Sequence, residues 1–325
     1  MRAVVYSKYG SPDVLSVADV ARPVIGAGDV LVRVHATAVG PADSAARAGS
    51  PYFSRLFFGP LGPRKPILGS DFAGEVEAVG TGVTRFSVGD KVFGATGAEF
   101  GTHAEYVSLS EDAAIAQMPD NLSYAESVAI VGGALTALPF LRDNAHIKRG
   151  QRIMINGPSG SVGTAAVQLA KHFGAHVTAV CSTANIELVK SLGADEVIDY
   201  TRGAFTEGGK TYDVIFDAVG KSSFARCRNS LALHGIYLST VPSIGILLQM
   251  ARTSKFGSKK AAIAFTGLRS PGDKANDLLV IRKLATTGRL VPVIEKEFPL
   301  ERIAEAYELV DGGHKKGNIV VTVTV

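Results

Sequence analysis

The sequence predicts an α/β chain of two domains, one a doubly wound parallel sheet and the other β-rich. Three observations predict it. Residues 152–171 read as a strand, a glycine-rich turn and a helix. Strand and helix patterns then alternate as far as residue 265 or so. Before residue 122 the chain instead carries short strands at close spacing, parted by turns rich in Gly, Pro and Asp.

The first of these stretches organises the chain. Apolar Ile153, Met154 and Ile155 read as a short buried strand, which Gly157 and Pro158 break. From Val162 onward the apolar residues Ala165, Ala166, Leu169, Ala170 and Phe173 recur at helical spacing. A glycine turn between strand and helix points backbone N–H groups outward, and the positive end of the helix adds to their field. Such a place suits a phosphate. Gly160 would let a pyrophosphate approach the backbone, and Gly163 would let the helix pack closely on the strand. The first glycine of the usual G-x-G-x-x-G is Pro158 here.

Downstream, strands are expected at 176–180, 196–198 and 213–216, with a helix at 187–192 closed by Gly193. Upstream, they are expected at 3–6, 30–39, 72–79, 91–93 and 104–109, with 50–66 a proline-rich loop. Ser123 and Glu126 stand at capping-box spacing and start a helix running to about residue 143. After a strand at 261–265, a helix at 273–287, a strand at 293–298, a helix at 300–310 and a strand at 318–323 return the chain to the first domain. The expected domains are therefore 1–122 with 266–325, and 123–265.

Composition limits the partners. The 325 residues are 46% hydrophobic, enough for two cores. The net charge of +4 is unclustered, with only the pairs Lys259-Lys260 and Lys315-Lys316, so no nucleic-acid partner is expected. Cys181 and Cys227 form no metal or redox spacing, which fits a reducing, cytoplasmic setting. The chain opens on a strand with no signal peptide read before it. The longest apolar run, 128–141, is interrupted by Gly and Pro, and no membrane span is expected.

Several stretches together carry a family resemblance over essentially the whole chain. They are Val39-Gly40-Pro41-Ala42-Asp43 with Arg47 and Gly49, and Gly69-Ser70-Asp71-Phe72-Ala73-Gly74-Glu75 with Val88-Gly89-Asp90. To these add Gly160-Ser161-Val162-Gly163 with Gln168, Ser191-Leu192-Gly193-Ala194-Asp195 with Asp199-Tyr200, and Asp217 to Gly220. In these the chain resembles the zinc-independent branch of the medium-chain dehydrogenase/reductase superfamily, and within it the quinone oxidoreductase (zeta-crystallin-like) family. The resemblance implies a Rossmann domain and a GroES-like catalytic domain. It implies cofactor binding by Thr136, Ser159, Gly160, Ser161, Val162, Ser182, Thr183, Tyr200, Ala218, Val219 and Asn318. It also places Gly40 and Asp43 near the site, Asp43 as a candidate catalytic residue. The loop residue Tyr52 and the apolar segment opening at Ile244 are read as further pocket wall beside Gly40, with Tyr52 a second catalytic candidate that could orient a carbonyl. The chain departs from the family where Asn gives way to Gly40, and where Ala184 stands in place of a frequent basic residue.

The zinc-bearing cousins carry Cys where Gly40 stands and Gly-His-Glu where Gly69-Ser70-Asp71 stands. Neither ligand is present, no cysteine cluster occurs, and His103, His146, His172, His176, His234 and His314 lack metal spacing, so no metal is expected. Without a Lewis acid, alcohol oxidation would be difficult, whereas hydride addition to an electrophilic quinone or enone needs less help. Residues 181–183 end the second strand without a carboxylate, so Ser182 and Thr183 are expected to donate to a 2′-phosphate and NADPH to be preferred over NADH. The expected protein is an NADPH-dependent reductase of small quinones or α,β-unsaturated carbonyls, and a homodimer through the edge strand at 261–265. The alternatives are a non-catalytic NADPH-binding protein on the same fold and a zinc-free alcohol dehydrogenase.

Overall fold

A computed structural model describes residues 1–203, 205–206 and 209–323. The elements run β1 (Arg2–Val5), β2 (Ser16–Asp19), β3 (Asp29–Val39), α1 (Pro41–Ala48), α2 (Arg55–Phe58), β4 (Asp71–Val79), β5 (Lys91–Ala95), β6 (Tyr106–Ser110) and β7 (Ala114–Gln117). Next come α3 (Tyr124–Ala129), α4 (Val131–Pro139), β8 (Arg152–Asn156), α5 (Ser161–His172), β9 (His176–Cys181), α6 (Ile186–Ser191), β10 (Glu196–Asp199) and β11 (Tyr212–Asp217). The chain closes with α7 (Phe224–Cys227), β12 (Leu231–Ser239), α8 (Ile244–Lys255), β13 (Lys260–Ala262), α9 (Pro271–Thr286), β14 (Ile294–Pro299), α10 (Ile303–Asp311) and β15 (Asn318–Thr322). They form two compact units, Met1–Gly132 with Arg269–Val325, and Gly133–Leu268. The expected boundary falls between residues 122 and 123, whereas the first unit runs past it to Gly132 in α4 and so takes in α3. That helix belongs to the first unit, where it contacts β3, β4 and β15.

In the first unit a seven-stranded sheet runs β14-β15-β3-β4-β5-β7, with β6 also on β3. The long β3 serves two neighbours along one edge. Its residues Asp29 to Arg33 pair with β6, and Ala36 to Val39 pair with β15, both antiparallel. Val30, Val32 and Val34 alternate inward and meet Phe72, Val76, Ile115, Tyr307 and Val321 in one core. The antiparallel register Ile319↔Val39 carries Asn318 alongside Gly40, so the last strand begins where β3 ends.

The second unit holds a sheet of six parallel strands in the order β10-β9-β8-β11-β12-β13. This is the doubly wound order that reverses direction at its first strand, here β8. Ligands of such sheets bind outside the carboxyl ends of the strands at that reversal. Ile153, Met154 and Ile155 are fully buried, as a central parallel strand with both faces covered requires.

Several elements were not readable beforehand. Helix α1 is short and opens on Gly40-Pro41, and β12 is interrupted by His234, whose φ is positive at 66°. The apolar stretch from Ile244 is helix α8, capped by Ser243. The expected strand at 261–265 ends at Ala262. One expectation is corrected: the helical run Tyr124–Asn144 is long and apolar enough to cross a membrane, with mean hydropathy 1.4. It is 67% buried within the protein, as the core helix of a globular chain would be.

Candidate active site

The reversal point of the parallel sheet is built by β8, its turn and α5. Gly160 is the N-cap residue and has no side chain to cap with, and the first helical bond runs from Thr164 N to Gly160 O. The N–H groups of Ser161, Val162 and Gly163 precede that bond and have no partner within the helix. A Cβ placed on Gly160 would meet nothing within 4 Å, so the turn is open on its outer side. A Cβ on Gly163 would stand 2.0 Å from the carbonyl oxygen of Gly157 and 2.7 Å from Cα of Pro158. Glycine at 163 is therefore what lets α5 lie against the turn, and Pro158 is accommodated because the first glycine's role passes to Gly157, at φ 77°.

Buried Asp217 braces the neighbouring loop at the end of β11. Its Oδ1 accepts from Asn156 Nδ2 at 3.0 Å and from Val219 N at 3.2 Å. Its Oδ2 accepts from Ser222 N at 2.8 Å and from Tyr237 Oη at 2.9 Å. Ala218 N donates to Asn156 O, so Ala218 and the half-exposed Val219 are held beside the glycine turn. On the other side, Asn185 Nδ2 donates to Ser159 Oγ at 3.1 Å, while Asn185 Oδ1 is buried without a partner. The turn, the orphaned amide oxygen and the half-exposed Val219 beside them fit a dinucleotide, whose pyrophosphate the backbone of Gly160 to Val162 could receive.

The end of β9 differs from its sequence-based reading. No carboxylate follows Cys181 in the chain, but the parallel register Asp199↔Cys181 brings one from β10. Thr183 Oγ1 donates to Asp199 Oδ2, and Thr201 donates to Oδ1 from both its hydroxyl (2.7 Å) and its N–H (3.0 Å). The hydroxyls of Thr183 and then Thr201 hold the Asp199 carboxyl below its ordinary range, so it is ionised at neutral pH. Thr183, expected to donate to a 2′-phosphate, here directs its one hydroxyl proton at a carboxylate.

The first unit carries a buried polar network around the end of β3. Gly40 N donates to Asp43 Oδ2 at 2.9 Å across the first turn of α1, and Asp43 is 2% exposed with Oδ1 unpartnered. Burial pushes the Asp43 carboxyl up to about 7, opposed by the N–H groups of Gly40 and Gly69. Burial, and then the charge of Asp43, push Asp71 up to about 7 as well, opposed by Ser70 and Gly132. His103 sits beside them, fully buried, with Nε2 3.3 Å from Ala38 O and Nδ1 3.4 Å from Tyr307 Oη. Desolvation lowers its pKa to about 4, so the ring is neutral, donating from Nε2 and accepting at Nδ1. Arg47 closes the network by donating to Gly10 O and, at 2.6 Å, to Asp311.

The same network tests the fit of zinc. Gly40 offers no ligand atom, Ser70 a neutral hydroxyl, and both nitrogens of His103 are engaged with protein groups. Among the described residues no group of three His, Cys, Asp or Glu side chains could hold a metal. The residues present do not fit a catalytic zinc site.

Of the residues singled out from the sequence, Ser159, Gly160, Ser161 and Val162 lie together on the turn, with Ser182 joined to them through Asn185. Thr183 lies beside Asp199, and Tyr200, next in the chain, is half-exposed, its N–H donating to Cys181 O. Thr136 is half-buried on α4. In the first unit Gly40, Asp43 and Asn318 adjoin, the Asn318 amide donating to Val293 O at 3.1 Å. Tyr52 lies apart on an exposed turn, 80% accessible, with the Arg55 guanidinium 4.5 Å from its ring centre. Ile244, 79% exposed, is the first residue of α8. Sequence reasoning missed Asn185, Asp199, Asp217 and Asp71 as site residues. Each stood inside or beside a quoted motif, but only strand pairing reveals what it touches.

Comparison with known proteins agrees with this construction. The alcohol dehydrogenase GroES-like domain family matches residues 26–120, and the zinc-binding dehydrogenase family matches residues 192–321. The chain is similar to a chloroplastic quinone-oxidoreductase homolog of Spinacia oleracea, at 34% identity over 99% of this chain and 98% of that protein. Among solved structures it is similar to the quinone oxidoreductase of Coxiella burnetii, at TM-score 0.88 and 30% identity, covering 100% of this chain and 99% of that one. It is also similar to the Escherichia coli quinone oxidoreductase complexed with NADPH, at TM-score 0.84 and 25% identity, covering 99% of this chain and 100% of that one. With its parallel sheet, its open glycine turn and relatives matched from end to end, the chain belongs to the quinone oxidoreductases of the medium-chain dehydrogenase/reductase family and is an NAD(P)H-dependent oxidoreductase.

Proposed function

We propose that the protein reduces quinones and α,β-unsaturated carbonyls with NADPH and without a metal, preferring NADPH only narrowly. The observation that carries this reading is the turn at Gly160, with its unpartnered N–H groups and open outer face. When bound, the reduced nicotinamide supplies the hydride. The chain's own work is then to hold and orient. The N–H groups of Ser161 and Val162 and the amino-terminal field of α5 offset pyrophosphate charge. Ser159 and Asn185 fix the flank of the turn, and the Asp217 bonds keep Val219 against it. Holding an acceptor in a dry, oriented pose can lower a barrier by roughly 7–11 kcal/mol at best. A proton from water or a weakly placed hydroxyl completes the reduction.

Turnover of a panel of quinones, enones and aldehydes with both reduced cofactors tests the reading, before and after dialysis against a strong chelator. Quinone or enone reduction unaffected by the chelator is expected. Cofactor binding without turnover would favour a non-catalytic protein, and alcohol-dependent reduction of the oxidised cofactor would favour a dehydrogenase. Loss of activity with one equivalent of zinc removed would end the metal-free reading. Tyr52, exposed and stacked under Arg55, is not needed as a proton donor on this account. Tyr52→Phe should lower kcat by about tenfold or less, roughly 1.4 kcal/mol; complete loss with cofactor still bound would reveal a dedicated donor there.

The proposal extends to a homodimer and a reducing compartment. Support for the first is the position of β13 at the edge of the parallel sheet, where an open strand invites pairing, and light scattering would read it. Support for the second is that Cys181 and Cys227 are both buried and unpaired.

A further inference from the structure

The cluster at the end of β9 does something that the cofactor turn alone does not explain. Doubly wound sheets use an acidic residue at the end of the second strand to accept the ribose 2′-hydroxyl, and its absence to admit a 2′-phosphate. This chain has no acid on that strand, yet the register Asp199↔Cys181 stands one beside it. Three features follow from the hydrogen bonds. The Asp199 carboxylate takes the only proton that Thr183 Oγ1 has, leaving that oxygen as an acceptor. Thr201 saturates the other carboxylate oxygen through its hydroxyl and N–H, fixing the group in place. Arg202 Nε lies 3.5 Å from Asp199 Oδ2, and its side chain is 78% exposed, so the guanidinium can turn to a ligand.

Resting on the dinucleotide reading above, we infer that Asp199 is a specificity-determining residue that opposes a 2′-phosphate, with Arg202 favouring one. An anion brought to Thr183 meets a fixed negative charge and a hydroxyl oriented to accept. A ribose 2′-hydroxyl can donate its one proton to one of these oxygens without that penalty. The exposed guanidinium of Arg202 acts in the opposite sense, because it can pair with phosphate oxygens. The balance between them sets how far NADPH is preferred over NADH. Since the Arg202 side chain faces solvent, salt should weaken its part of the difference.

The test uses the full-length protein. The ratio of kcat/KM for NADPH to that for NADH is measured for the wild type, Asp199→Asn and Arg202→Ala, with calorimetric binding of 2′,5′-ADP and 5′-AMP alongside. Asp199→Asn should raise the NADPH:NADH ratio about tenfold and tighten 2′,5′-ADP relative to 5′-AMP by a similar factor. Arg202→Ala should lower both. Asparagine keeps the shape and one acceptor, and should Asp199→Asn not fold, Arg202→Ala carries the test alone. Ratios within twofold of the wild type in the folded variants would overturn the inference while leaving the dinucleotide reading intact. Failure of the wild type to bind either fragment or either cofactor would overturn that reading itself.

Discussion

Replacing Gly160 by valine is expected to leave the protein folded and to remove its dinucleotide binding. The backbone at 160 has φ −81° and ψ 177°, which any residue adopts, and a Cβ there finds nothing within 4 Å. The folded protein therefore meets neither a clash nor backbone strain from the change. What the side chain fills is the space in front of the N–H groups of Ser161 and Val162, where a pyrophosphate has to come close. An affinity for NADPH weakened at least a hundredfold, about 2.8 kcal/mol, is expected by fluorescence titration, with an unchanged thermal melt. Gly163→Val supplies the contrast. Its Cβ would collide with Gly157 O and Pro158, so α5 must lift from the turn, and stability should fall together with binding. A Gly160→Val protein that binds NADPH as tightly as the wild type would mean that the phosphates are received elsewhere.

The second large effect is a pH dependence of stability set by the buried polar network of the first unit. Asp43 and Asp71 both titrate near 7 in the folded protein, and near 3.8 as ordinary carboxyls. Between those values the native state holds protons that the unfolded chain has released. Stability from these groups is thus fully present below pH 4 and is lost as pH rises through 7. His103 works in the opposite sense. Its pKa of about 4 in place of 6.5 means that the unfolded chain takes up a proton first, so its contribution falls as pH drops below 6.5. His35, lowered mainly by burial, acts as His103 does. Asp71→Asn removes one of the rising carboxyls and leaves the histidines in place. In urea unfolding, the variant should gain on the wild type by about 2 kcal/mol between pH 5 and pH 8, given roughly 1.4 kcal/mol per unit of pKa difference. Parallel curves for the two proteins would show that Asp71 is ionised throughout that range.

The features that could be read in advance are those whose cause is local. A strand, a glycine turn and a helix identify themselves within twenty or so residues, because apolar spacing and the steric needs of Gly160 and Gly163 are properties of neighbours in the chain. The Ser123–Glu126 capping box is of the same kind, and it forms as expected, Ser123 N donating to Glu126 at 2.8 Å. The alternation after residue 152 further implied a parallel sheet, since parallel strands need crossovers. The domain boundary was less legible. Whether α3 packs with the strands before it or after it depends on which apolar face finds a partner, and no local pattern states that.

By itself, then, the sequence determined that this protein has a parallel sheet with a phosphate-suited turn at Gly160, and that no cysteine and histidine set for zinc stands at Gly40 and Ser70. Only the tertiary structure decided what the polar side chains do. Asp199 meets Thr183 because β10 pairs with β9 in one register and not another. His103 meets Tyr307 across 204 residues, and burial, then the charge of Asp43, raises the pKa of Asp71. A hydrogen bond or a shared low-dielectric site acts only over a few ångströms, and for residues far apart in the chain it is strand register and core packing that set those distances.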